Sequence, residues 1–154
     1  MTPVHVAAAE GHPEIVEYLI SIGANVTKRD KFKRTALIVS LKNNHVRIAS
    51  ILLAAGCPWN EPDSSDNYPL HYACAFGGIQ AIDLLLKAGA NINQLNSWKL
   101  SPVTVAFLKH HTNIVKKILA FPDINVNCKD DNGRTLIANA AFNFKIDNYS
   151  LVDI

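Results

Sequence analysis

Apolar residues recur along the chain at the three-and-four spacing of a helix face. They do so in four separate stretches: Ile15, Val16, Leu19 and Ile20; Ile48, Ile51 and Leu52; Ile82, Leu85 and Leu86; Ile114, Val115, Ile118 and Leu119. Each stretch predicts a short amphipathic helix. The first three end at Gly23, Gly56 and Gly89, which suit the left-handed residue that closes a helix. Another helix precedes each one. It opens as Thr2-Pro3-Val4-His5-Val6-Ala7, and Thr2 and Thr35 are good N-caps. Proline at the first helical position loses no hydrogen bond, because that N–H has no partner within a helix.

These openings repeat. Thr35-Ala36-Leu37-Ile38-Val39-Ser40, Tyr68-Pro69-Leu70-His71-Tyr72-Ala73, Ser101-Pro102-Val103-Thr104-Val105-Ala106 and Thr135-Leu136-Ile137-Ala138-Asn139-Ala140 follow the first. Starts at 2, 35, 68, 101 and 135 give a period of 33 residues three times and 34 once. Gly23-Ala24-Asn25-Val26, Gly56-Cys57-Pro58-Trp59 and Gly89-Ala90-Asn91-Ile92 keep the same register. Pro122-Asp123-Ile124-Asn125-Val126 follows it with one residue inserted. A period near 34 also suits tetratricopeptide repeats, but no unit has their early Trp and Leu-Gly pattern.

The Thr-Pro-Val-His-Val-Ala opening and the Gly-Ala-Asn-Val ending resemble the ankyrin repeat, over essentially the whole chain. The resemblance implies an all-α solenoid of stacked helix-turn-helix units, each followed by a projecting turn or β-hairpin finger. The units run over 2–34, 35–67, 68–100 and 101–134, with a partial fifth over 135–154. A single helix pair cannot bury its own apolar faces, so each unit needs neighbours. Val4, Ile15 and Leu19 would leave the first unit's outer face apolar, and Leu151 to Ile154 reads as the start of a helix after an insertion around Lys145 to Tyr149. The expectation is a segment of a longer array.

Composition narrows the class. The 154 residues are 49% hydrophobic and 18% charged with a net charge of +2, which is a folding rather than a disordered balance. No apolar run approaches the length of a membrane span, and no secretory signal is read at the start. Cys57, Cys74 and Cys128 are too few and too scattered for a disulfide framework or a zinc knuckle. These features set the expectation of an intracellular, cytoplasmic protein, with the nucleus also open. Cys57 and Cys74 align with alanines and read as core fillers, whereas Cys128 falls in a finger and reads as an exposed thiol.

Catalytic signals are missing from the sequence. It has no glycine-rich phosphate loop, no nucleophile elbow and no HExxH. The adjacent His110 and His111 point apart on a helix, without a Cys, Asp or Glu three or four residues away to complete a metal set. No catalytic residue, metal or cofactor is expected. The family resemblance gives His5 and His71 a structural role in knitting neighbouring repeats. His12, His45 and His111 fall between helices and read as solvated turn residues.

Residues that break the pattern carry the candidate function. Lys28, Arg29, Lys31, Lys33 and Arg34 place five of the fifteen basic residues in the first finger. Without 28–34 the remainder has 10 basic against 12 acidic residues. Such a patch suits an acidic partner, raising its on-rate and sharpening specificity. A nucleic acid is a poorer match, because an acidic finger (Glu61, Asp63, Asp66) interrupts any basic track. Anionic lipid is a third, weaker option. The aligned finger tips are Phe32, Ser65, Trp98 and Asn132, and Phe76 and Leu108 are apolar where the inner face would tolerate polar residues. Phe32, Phe76, Trp98 and Leu108 are therefore expected to line one groove, whereas Trp59 aligns with Val26 and Ile92 and reads as structural. The predicted function is non-catalytic protein or peptide binding, as a scaffold or adaptor. The alternative is a regulatory or structural module of a larger enzyme, channel or assembly.

Lys33, Asp66 and Lys99 replace the glycine usual near the end of the finger turn, at a penalty of about 1 kcal/mol each in a left-handed conformation. Three fingers are thus expected to be less regular than the fourth, where Gly133 conforms. Asn44 and His110 likewise replace the Gly11-like residue between helices.

Overall fold

The structure, a computed structural model, describes residues 1–76 and 78–141. The insertion expected around Lys145 to Tyr149 and the helix start at Leu151 to Ile154 lie outside the described residues. Four helix pairs follow one another: α1 (Pro3–Glu10) with α2 (Pro13–Ser21), α3 (Ala36–Lys42) with α4 (Val46–Ala54), α5 (Pro69–Phe76) with α6 (Ile79–Lys87), and α7 (Pro102–Leu108) with α8 (Thr112–Leu119). A further helical stretch covers 136–141. The first helices α1, α3, α5 and α7 stack in one row, and α2, α4 and α6 stack in a second beside it. Between pairs, the chain runs out through a finger. One isolated antiparallel bridge, Arg29 with Thr35, is the only β pairing among the described residues.

The core is continuous along the stack rather than centred. Leu37, Leu52, Leu70, Ile82, Leu85 and Ile118 are fully buried, and each belongs to the periodic apolar set or to a first helix. Glycines close the second helices as expected, with φ of 86°, 83° and 100° at Gly23, Gly56 and Gly89. Cys57 and Cys74 are buried, and burial pushes both thiols above their ordinary pKa. Cys128 is half-buried rather than exposed.

The fingers are more uniform than expected. Lys33, Asp66 and Lys99 take left-handed φ of 58°, 55° and 56°, the conformation that Gly133 adopts at 71°. An Asp or Asn three residues earlier offsets the strain. Asp30 Oδ1 accepts the amides of Phe32 (2.8 Å) and Arg34 (2.9 Å), and Asp63 Oδ1 those of Ser65 (2.8 Å) and Asn67 (2.9 Å). Asn96 does the same for Trp98 (3.0 Å) and Leu100 (2.9 Å), and Asp130 for Asn132 and Arg134 (both 2.9 Å). Two charge-assisted or amide hydrogen bonds per turn outweigh one unfavourable φ. Each tip then hands its carbonyl to the next finger: Phe32 to the Ser64 amide, Ser65 to Ser97, and Trp98 to Asp131.

Histidines tie the helix rows together. His5 Nδ1 accepts from the Thr2 amide (3.3 Å) and hydroxyl (2.8 Å), so Nε2 carries the hydrogen and donates to the Arg34 carbonyl (3.0 Å). His71 repeats this with the Tyr68 amide (3.1 Å) and the Leu100 carbonyl (3.0 Å). Each links the start of one inner helix to the residue entering the next. His45 and His111 are not solvated turn residues. Their Nε2 atoms donate to the carbonyls of Ala9 (3.1 Å) and Ala75 (2.9 Å) in the preceding pair, and of the three only His12 is exposed.

The joint between the second and third pairs lacks these ties. Ile38 and Gly78 stand where the histidines would be. Ion pairs join α2 to α4 (Glu14 with Arg47, 3.0 Å) and α6 to α8 (Asp83 with Lys117, 2.8 Å), whereas none joins α4 to α6 among the described residues. A cleft lined by Val46, Ser50, Gln80 and Leu84 lies there instead. The fingers do hold at this joint, through Asn67 with Asn96 (2.8 Å) and Asp66 with Ser97 (2.8 Å). Opening should therefore start on the helix side. In native-state hydrogen exchange, the first-turn amides of α6 (Ala81, Ile82) are expected to exchange faster than Ala49 in α4 and Val115 in α8. Equal protection at all three places would contradict it.

Candidate functional site

Inner helices and fingers together enclose one groove of about 320 Å³. Tyr72, Ala75 and Phe76 come from α5, Val105 from α7, and Asn96, Trp98 and Leu100 from the third finger. Lys42 at the end of α3 and Lys109 just beyond α7 line it too, as do Asn67 and His71. Tyr72 and Phe76, one helical turn apart, stack with ring centroids 6.2 Å apart. Phe76 and Trp98 are 43% and 51% exposed, large apolar surfaces left open to solvent. Trp98 is held there by its own finger, since the Asn96 side chain fixes its amide and the fourth finger takes its carbonyl.

Phe32 and Leu108 are equally exposed but do not line this groove. Lys31 Nζ lies 5.0 Å and the Arg34 guanidinium 4.8 Å from the Phe32 ring centroid, so its face is covered by cations of its own finger. Trp59 lies elsewhere, packed against the core, with its ring 3.4 Å from where a Cβ on Gly89 would sit.

The basic finger is partly neutralised. Arg34 forks onto Asp30 Oδ2 through Nε (2.9 Å) and Nη2 (2.7 Å). Arg29 pairs with Glu61 (2.9 Å), donates to the Lys33 carbonyl (2.7 Å) and reaches the Pro62 carbonyl. Lys28, Lys31 and Lys33 remain exposed.

Under the groove sits a buried carboxylate, Asp63, which the sequence shows only as one of the acids of the second finger. Asp63 is 8% exposed and accepts from the Tyr72 hydroxyl (2.6 Å) as well as from Ser65 and Asn67. Burial alone would raise its pKa, but these donors, Tyr72 foremost, hold it below the ordinary aspartate value. The same bond, on top of burial, drives the Tyr72 phenol upward. Tyr72 is thereby fixed as part of the floor. Its signal was in the sequence, since Val6, Val39 and Val105 stand at the equivalent positions. Among the described residues, no group of His, Cys, Asp and Glu is arranged to hold a metal ion.

A family model described as ankyrin repeats (3 copies) matches residues 4–96 and 70–154. The chain belongs to the ankyrin-repeat family. Ankyrin repeats form non-catalytic modules that generally mediate protein–protein interaction. The chain is 40% identical over 143 residues to poly [ADP-ribose] polymerase tankyrase of Caenorhabditis elegans, covering 90% of this chain and 6% of that protein. It is 36% identical over 110 residues to cyclin-dependent kinase inhibitor 2A of Monodelphis domestica (71% of this chain, 64% of that protein). It is 30% identical over 124 residues to human Rabankyrin-5 (73% and 10%). The chain thus spans from a small fraction to just under two thirds of these ankyrin-repeat relatives. No helix among the described residues is long and apolar enough to cross a membrane.

Proposed function

We propose that this ankyrin array is a scaffold or adaptor segment that captures a protein or peptide in the groove between its inner helices and third finger. The observation that carries this is the pairing of Phe76 and Trp98, both exposed and both lining the same groove. Stacked repeats present such a surface already ordered, so little conformational freedom is lost on binding. Trp98 is the main anchor and Phe76 the second, with Phe32 and Leu108 as peripheral contacts. Lys28, Lys31 and Lys33 attract an acidic stretch of the partner, while Arg29 and Arg34 shape the finger that presents them. The units are 2–34, 35–67, 68–100 and 101–134, with a partial fifth over 135–154, and the setting is the cytoplasm. Anionic lipid is the minor alternative ligand for the basic finger.

A pull-down with the wild type and the Trp98→Ala variant, read by mass spectrometry, identifies the partner. Loss of this anchor is expected to weaken it by about 2 kcal/mol or more. Unchanged affinity in both Trp98→Ala and Phe76→Ala, with the fold intact by circular dichroism, defeats the groove reading.

A second reading, a module making contacts within a larger protein, is favoured by the small share of the tankyrase and Rabankyrin-5 relatives that this chain spans.

A further inference from the structure

The groove has a charge pattern as well as an aromatic floor. Since α5 lies between α3 and α7 in the inner row, Lys42 and Lys109 bracket Phe76 from both sides. Both lysines are exposed, and neither forms an ion pair with a carboxylate among the described residues. Lys109 Nζ sits 5.8 Å from the Phe76 ring centroid. In the second finger, Asp63 accepts from Tyr72, Ser65 and Asn67, and Asp66 accepts from Ser97. The site therefore offers two available cations on either side of an apolar slot.

Resting on the groove reading above, we propose that its occupant is an extended peptide segment with a bulky apolar side chain between two carboxylates. The apolar side chain packs against Phe76 and Trp98, and the carboxylates meet Lys42 and Lys109. Spacing follows from the stack. Two interhelix steps of about 8–10 Å separate α3 from α7, so an extended chain covers the distance in about five or six residues. Acidic residues about five or six positions apart, with an aromatic or aliphatic residue midway, fit that span. A nucleic-acid strand fits less well. The guanidiniums best suited to phosphate, Arg29 and Arg34, are committed to Glu61 and Asp30, and two lysines make no continuous track.

The test pans a displayed library of random peptides, about a dozen residues long, against the full chain. Recovered peptides are then synthesised and titrated by fluorescence anisotropy. The expected winners carry the acid–apolar–acid spacing, lose about tenfold or more in affinity to the Lys42→Glu/Lys109→Glu variant, and weaken with Trp98→Ala. Both lysines are exposed, so charge reversal leaves the core untouched. Charge-neutral winners that Trp98→Ala weakens and the charge reversal does not would overturn this inference while the groove reading stands. Winners indifferent to Trp98→Ala and Phe76→Ala, no winners at all, or displacement of winners by an oligothymidine at equal concentration would overturn both.

Discussion

Replacing His71 with alanine is expected to destabilise the protein by about 3 kcal/mol, read as a lower denaturant midpoint. The imidazole is 2% exposed and serves two backbone groups of partly buried residues at once, the Tyr68 amide and the Leu100 carbonyl. Alanine leaves both unpaired, at about 1–3 kcal/mol each without full additivity, and opens a void between α5 and α7. The fourth unit supplies a rescue. There Ser101 and Thr104 satisfy each other, with hydroxyls 3.0 Å apart and the Thr104 amide bonded to Ser101 Oγ at 3.4 Å. The Tyr68→Ser/His71→Thr double variant should therefore recover part of the loss, a coupling that independent sites would not show. Acid should expose the same residue. Burial first of all holds the His71 pKa below its ordinary 6.5, so the native state keeps the ring neutral while the unfolded chain takes up a proton. That contribution is fully present above about pH 6.5 and declines as the pH falls below it. His71→Ala should remove this part of the acid sensitivity.

The Asp63→Ala substitution is expected to lower stability by a similar amount, about 3 kcal/mol, whereas Asp63→Asn should lose only about 1 kcal/mol. Alanine abandons the Tyr72 hydroxyl and the Ser65 and Asn67 amides, which lie beneath the groove. Asparagine keeps the Oδ1 acceptor, and Asn96 shows that an amide can pin the same turn. Equal losses from the two substitutions would mean that the carboxylate charge or the Oδ2 acceptor of the Tyr72 hydroxyl, both lost in asparagine, outweighs the Oδ1 acceptor that pins the turn. The Asp63 pKa lies below the ordinary value, so its share of stability is present above about pH 4 and is lost as pH falls through the lowered value.

The helix pairs were legible in the sequence because burial leaves a strict spacing. Ile82 and Leu85 had to share a face, and both are fully buried. The residue-scale exceptions had a different cause. His45 looked like a turn residue because its acceptor, the Ala9 carbonyl, lies 36 residues away and comes within reach only when the units stack. The regular fingers were hidden behind Lys33, Asp66 and Lys99, although the aligned Asp30, Asp63, Asn96 and Asp130 column already held the compensation. Glu61 of the next finger pairs with Arg29, a contact that the charges of the first finger alone do not contain. Phe32 and Trp98 share an alignment column yet part ways. Lys31 and Arg34 cover Phe32, while Lys99 beside Trp98 turns away to Asp131 at 3.5 Å.

The histidine ties set a longer rhythm than the helices do. His5 and His71 stand 66 residues apart, as do His45 and His111, whereas the apolar pattern repeats at 33. The smallest block that contains both kinds of tie is thus two helix pairs, although one pair is the unit that the hydrophobic pattern counts. Insertion or excision of a single unit would keep the apolar register and yet set tied and untied faces against each other. A change of 66 residues would preserve both, so the chain can tolerate growth or loss in doubled steps more readily than in single ones.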